Sequence, residues 1–162
     1  VLIASKYGYI DKTGKIVIQP QFERCGGFSE GLARFVDNDK VGYIDRTGKV
    51  VIAPWFESGE PFSEGLAEVQ VDRKWGYINR SGEIVIKPNF VRTGQFSEGL
   101  APVSLGSHGG FIDTTGRMVI ENMWWDMGEE FFDGLALMET SYGLAYIDKR
   151  GNHIWREKIA HR

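Results

Sequence analysis

What this sequence lacks narrows it before any motif is read. Its single cysteine, Cys25, excludes an internal disulfide framework and any cysteine-built metal cluster. The three histidines, His108, His153 and His161, share no metal-ligand spacing on a common element. No run of about 18 apolar residues occurs, so no membrane-spanning helix is expected. Neither sign of charge is concentrated: 19 basic and 22 acidic residues leave a net charge of −3, without the basic footprint that nucleic acid or an anionic membrane surface requires. A glycine-rich phosphate loop and a serine-nucleophile elbow are both missing. The chain opens at Val1 in mid-pattern and reads as an excised or processed piece. That reading leaves cell envelope, secreted and cytoplasmic locations all open.

What is present is a repeat. Gly8-Tyr9-Ile10 recurs as Gly42-Tyr43-Ile44, Gly76-Tyr77-Ile78 and Gly110-Phe111-Ile112 at a spacing of 34 residues, then as Ala145-Tyr146-Ile147 after 35. A second motif, Phe28-Ser-Glu-Gly-Leu-Ala33, returns at Phe62, Phe96 and Phe131, with its glycine at Gly31, Gly65, Gly99 and Gly134. A fixed period of this length signals a repeat architecture, and 21 glycines against 5 prolines suit an all-β chain with many turns.

Each copy predicts three strands. Strand A is the Gly-Tyr-Ile segment, closed by Asp11 to Gly14 and its equivalents, where an Asp or Asn caps a turn and a glycine takes positive φ. Strand B follows at Lys15–Ile18, Lys49–Ile52, Glu83–Ile86, Arg117–Ile120 and Asn152–Trp155, β-branched and too short for a helix. Strand C is the Leu32–Asp37 segment and its copies. Pro20, Pro54 and Pro88 beside strand B place it at a sheet edge. The expectation is a single domain over residues 1–162, all-β, of about five three-stranded antiparallel units near 1–31, 32–65, 66–99, 100–134 and 135–162. A propeller-like closed ring is preferred because radial closure shields strand edges, with an open β-superhelix as the alternative.

The pattern Gly-Tyr-Ile-Asp-x-x-Gly-x-Ile-Val-Ile-x-Pro, followed by Phe-Ser-Glu-Gly-Leu-Ala, resembles the WG-repeat (KWG) family. Lys74-Trp75-Gly76 carries its full signature, while Tyr7-Gly8, Val41-Gly42, Gly109-Gly110 and Tyr142-Gly143 depart from it. The resemblance covers essentially the whole chain. It implies a bacterial tandem-repeat module and no assigned activity, hence no catalytic residue.

Glu30, Glu64, Glu98 and Asp133 recur in the Ser-Glu-Gly turns and read as turn-stabilising rather than as a carboxylate ring for cations. Asp11, Asp45, Asp113 and Asp148 are hairpin residues, since an isolated Asp-x-x-Gly is too poor in oxygens for calcium. Cys25 has no histidine partner and reads as a small loop or core residue. The expectation is therefore no enzyme, no cofactor and no metal. Positions repeated in every copy, including Tyr9, Ile10, Val17, Ile18, Phe28 and Leu32, should be core, and function should lie where copies differ. Trp55, Trp75 and Trp125 are the uneven aromatic positions and the candidate binding residues; Trp124 and Trp155 align with core positions. A protein-binding scaffold ranks first because large rigid aromatics anchor interfaces. A carbohydrate-binding module using Trp or Tyr platforms ranks second, and a plain spacer is a third reading.

Overall fold

The computed structural model describes residues 1–106, 108–122, 128–140 and 143–157. Trp124, Trp125 and His161 lie outside the described residues. Those described form five antiparallel sheets in chain order. The first holds β1 (Leu2–Ile3), β2 (Lys6–Ile10) and β3 (Ile16–Phe22). The second holds β4 (Arg24–Ser29), β5 (Leu32–Asp37), β6 (Lys40–Asp45) and β7 (Val50–Phe56). The third holds β8 (Ser58–Gly59), β9 (Ala67–Val71), β10 (Lys74–Ile78) and β11 (Ile84–Phe90). The fourth holds β12 (Arg92–Thr93), β13 (Leu100–Ser104), β14 (Gly109–Asp113) and β15 (Met118–Asn122). The fifth holds β16 (Leu135–Thr140), β17 (Gly143–Asp148) and β18 (His153–Arg156).

Strands C, A and B form the expected meander, with B at the sheet edge. The middle three sheets, however, have four strands rather than three. The segment read as a plain crossing contributes β4, β8 and β12, which pair with the C strands β5, β9 and β13. The second sheet thus runs from Arg24 to Phe56 instead of starting at Leu32. Its backbone groups find ladder partners that a free crossing would leave to water.

The turns follow from residue chemistry. In Ser63-Glu64-Gly65-Leu66 the two outer residues exchange both backbone hydrogen bonds, Ser63 N to Leu66 O at 2.8 Å and Leu66 N to Ser63 O at 3.1 Å. Glu64 has φ +53° and Gly65 +80°, so both central residues of this tight hairpin occupy the left-handed region. In the A-to-B turn, Asp11 Oδ1 accepts from Thr13 N at 2.8 Å, Thr13 Oγ1 at 2.6 Å and Lys15 N at 3.1 Å. The Thr13 hydroxyl bond is the main reason its carboxyl is held below the usual range. The glycine of the Trp-Gly pair is set by close approach: a Cβ on Gly76 would lie 2.5 Å from Ile86 O and 2.6 Å from Pro88 N.

The core is divided among the interfaces between successive sheets. Val41, Tyr43, Ile52 and Phe56 of the second sheet pack on Phe62, Val69 and Ile78 of the third. Equivalent clusters fill the other three interfaces. In the first four sheets the A-strand aromatic stacks on the motif phenylalanine of the next unit, as Tyr43 on Phe62 at 5.1 Å and Tyr77 on Phe96 at 4.9 Å. Phe62, Phe96 and Phe131 are buried as expected, whereas Phe28 is half-buried with Arg46 over its ring at 5.2 Å.

Three expectations about burial change. Val17 and its copies Val51, Val85 and Val119 are exposed, because strand alternation that turns Ile18 and its copies inward turns the neighbouring valine out. Ile10, at the start of the stack, and Trp155, at its end, occupy positions buried in other copies yet are themselves exposed. Among the described residues no ring closes, since the outer faces of the first and last sheets remain open.

Candidate functional site

The copies differ most sharply at one place in strand C. Residues at Arg34, Glu68, Pro102 and Leu137 are equivalent, and the first two meet the crossing segment that leads into the following sheet. Between the second and third sheets, Arg34 Nη1 donates to Gly59 O at 2.8 Å and lies 3.5 Å from Glu60 Oε2. Between the third and fourth sheets, Glu68 stands there instead. It is only 5% exposed, and Thr93 Oγ1 donates to its Oε2 at 2.8 Å.

Around Glu68 lies a pocket of about 470 Å³, lined also by Glu60, Trp75, Arg92, Thr93, Gln95 and Glu130. Strands β9 and β10 supply Glu68 and Trp75, and the segment from β12 towards Phe96 supplies the opposite wall. Burial pushes the Glu68 carboxyl up to about 7; the nearby negative charges of Glu60 and Glu130 push the same way, and the Thr93 hydrogen bond opposes them. Beneath it Tyr77 OH donates to Gly94 O at 2.8 Å, and burial with the Glu68 charge raises that phenol too. Glu130 Oε1 accepts from Gln95 N at 3.3 Å. The arrangement offers carboxylates, an arginine, a side-chain amide and an indole around a space of ligand size.

Trp75 is half-buried, packed against the core between the third and fourth sheets. Trp55 is 46% exposed, its ring 4.0 Å from Phe56. Phe56 packs in the cluster between the second and third sheets, so the Trp55 ring borders that interface, whereas Trp75 borders the next one. Trp125 lies outside the described residues.

Glu68 was missed as a site residue. The signal was available: one acidic residue alternating with Ala67 and Val69 in a strand covered on both sides. The motif glutamates were read as stabilising their own turns, but their side chains bridge units. Glu30 Oε2 accepts from Gly65 N at 3.0 Å and Glu64 Oε2 from Gly99 N at 2.9 Å. Glu98 accepts from Gly134 N at 3.1 Å and meets Lys149 Nζ at 2.8 Å. Beside this ladder, Ser29, Ser63 and Ser97 donate to the carbonyls of Phe62, Phe96 and Phe131.

The family model described as "WG containing repeat" matches residues 7–40, 42–75 and 75–107. No curated protein matches the chain. Among solved structures, BamB from Moraxella catarrhalis is similar in fold, with 13% identity and a TM-score of 0.59, over 95% of this chain and 62% of that one. The chain thus spans less than two thirds of BamB. A protein of unknown function from Bacteroides caccae has 18% identity and a TM-score of 0.44, over 94% of this chain and 69% of that one.

Proposed function

The chain belongs to the WG-repeat family, and on that premise we propose that it is a non-catalytic repeat module that binds another protein along the outer edges of its sheets. The observation that carries this reading is the exposed valine of strand B. Val17, Val51, Val85 and Val119 are 51%, 41%, 45% and 41% exposed, on strands that each end their sheet. Threonine would serve an edge strand equally well and stay polar. An apolar residue kept outward in four copies, on strands with one unpaired side, suits a covered surface. Trp55 projects from one of these strands and supplies a large aromatic anchor.

A photo-crosslinking side chain placed at Val51 or Val85, in the cells that make the protein, tests the reading. A discrete adduct with one other polypeptide is expected from these positions and not from Lys12 on an exposed turn. Adducts equally frequent from Lys12, or none from the valines, would reject it.

The pocket at Glu68 favours a second reading, a carbohydrate ligand stacked on Trp75 and hydrogen-bonded by Glu68, Gln95 and Arg92. Calorimetric titration with neutral oligosaccharides should then give saturable heat that Trp75→Ala abolishes. Absence of heat at millimolar sugar would dismiss it.

A further inference from the structure

We propose that copies of this chain associate head to tail, the outer face of the fifth sheet of one copy docking on the outer face of the first sheet of the next. Every interface inside the chain is made from the same two faces. One side presents the A-strand aromatic and the last residue of the Ile-Val-Ile run. The other presents the A-strand isoleucine and the glycine of the A-to-B turn.

At the fifth sheet the first of these faces meets no further sheet among the described residues. Tyr146 is 40% exposed, whereas its equivalents Tyr43, Tyr77 and Phe111 are at 0%. Trp155 is 51% exposed, whereas Ile18, Ile52, Ile86 and Ile120 lie between 3% and 6%. Leu144, beside them on β17, is 41% exposed.

At the first sheet the complementary face is open. Ile10 is 48% exposed, against 0% for Ile44, Ile78 and Ile147 and 1% for Ile112. The turn glycines tell the same story from different atoms. A Cβ on Gly48 would lie 2.9 Å from Ile18, on Gly82 3.1 Å from Ile52, on Gly116 3.2 Å from Ile86 and on Gly151 3.1 Å from Ile120, while nothing lies within 4 Å at Gly14. The two ends are therefore the two halves of an interface the chain already makes four times.

Both end faces keep apolar core-type residues, Ile10 at one and Tyr146 with Trp155 at the other, and such surfaces drive association. Because the faces differ, the contact is heterologous: it closes a ring if the rotation permits and otherwise extends a row. The inference is independent of the outer-edge reading above, since it uses the faces of the end sheets and none of the edge valines.

Sedimentation equilibrium over a concentration series tests it, with the wild type, Ile10→Asp and Tyr146→Asp. The wild type should rise from the monomer mass of 18.3 kDa towards multiples of it as concentration increases. Each variant alone should stay monomeric, because every contact needs one face of each kind. Mixed in equal amounts, the two variants should form a one-to-one dimer and stop there, since each retains the face the other needs. Leu144→Asp, with its side chain exposed on the same face, replaces Tyr146→Asp if the latter does not fold. A wild type that remains monomeric throughout would overturn the proposal and leave the faces to a different polypeptide. Either variant still self-associating would also overturn it, by showing like-to-like contact.

Discussion

The interface between the second and third sheets and the one between the third and fourth are built from the same parts, yet only the second of these buries a carboxylate. In both, a tyrosine stacks on the next unit's phenylalanine and donates to a backbone carbonyl across the gap, Tyr43 to Glu60 and Tyr77 to Gly94, each at 2.8 Å. In both, a serine and a glutamate of one turn hydrogen-bond the next turn along the ladder. At the variable C-strand position Arg34 fills its interface with a side chain that stays partly solvated, 39% exposed, and closes on Gly59 and Glu60. Glu68 accepts from the Thr93 hydroxyl and leaves space beside it. The comparison teaches that the repeated residues hold the stack together, and that changes of residue type at a few variable positions, Arg34 to Glu68, Val41 to Trp75 and Gly59 to Thr93 among them, turn a filled interface into a pocket with a raised carboxyl.

The largest effect expected from breaking this comparison is at the shared parts. Phe62→Ala should lower stability by about 3–5 kcal/mol in denaturant melts, since it empties a fully buried ring site between two sheets. A loss below about 1 kcal/mol would show that the motif phenylalanine does not hold the interface.

Next comes the residue that distinguishes the two interfaces. The folded chain keeps the Glu68 proton up to pH about 7, against an ordinary 4.5, so it binds more protons than the unfolded chain between those values. Its contribution is therefore full below 4.5 and is lost as pH rises through 7. Glu68→Gln should stabilise the protein at pH 8 by about 1–3 kcal/mol, short of the full separation of the two values at ~1.4 kcal/mol per pH unit. At pH 4 the two proteins should melt alike. A variant less stable than wild type at pH 8 would mean that the ionised carboxylate is well paired.

Smaller still is the ladder. Ser63→Ala removes one hydrogen bond to Phe96 O, 2.8 Å long, and should cost about 1 kcal/mol. Ser29→Ala, which removes the 2.7 Å bond to Phe62 O at the other interface, should match it, because the ladder is the same at both interfaces; unequal losses would break the equivalence. The smallest effect is expected at Trp55→Ala. Its half-exposed ring makes the stability change no more than about 1 kcal/mol, while any protein contact along the outer edge should weaken far more. A stability loss equal to that of Phe62→Ala would make Trp55 a core residue.

Much of this frame was legible in the sequence, for identifiable reasons. The 34-residue period gave the number and order of strands A, B and C, and the turn glycines gave their ends, because those positions require particular backbone conformations in every copy. The fourth strand was not legible. In the second sheet it contains Gly26 and Gly27, and in the third and fourth it is two residues long, so neither alternation nor β-propensity marks it. Val17 was misread because recurrence in every copy was equated with burial; alternation along strand B, with Ile18 inward, carried the better signal. Glu30 and its copies were legible as turn residues but not as bridges, since a partner 35 residues away is a property of how units stack. Trp75 stood out in the sequence as an uneven aromatic position, whereas Glu68, the buried carboxyl of the same pocket, was hidden inside an otherwise ordinary strand.

The most direct test of the account is a side-chain carboxyl carbon-13 titration of Glu68 in the intact protein, followed by NMR with Glu60 and Glu130 as internal comparisons. The account predicts that the Glu68 signal moves with a midpoint near pH 7 and that this transition alone disappears in Glu68→Gln. A midpoint near 4.5 for Glu68 would contradict it, because the carboxylate would then be solvated or paired and the two interfaces would differ in shape but not in chemistry.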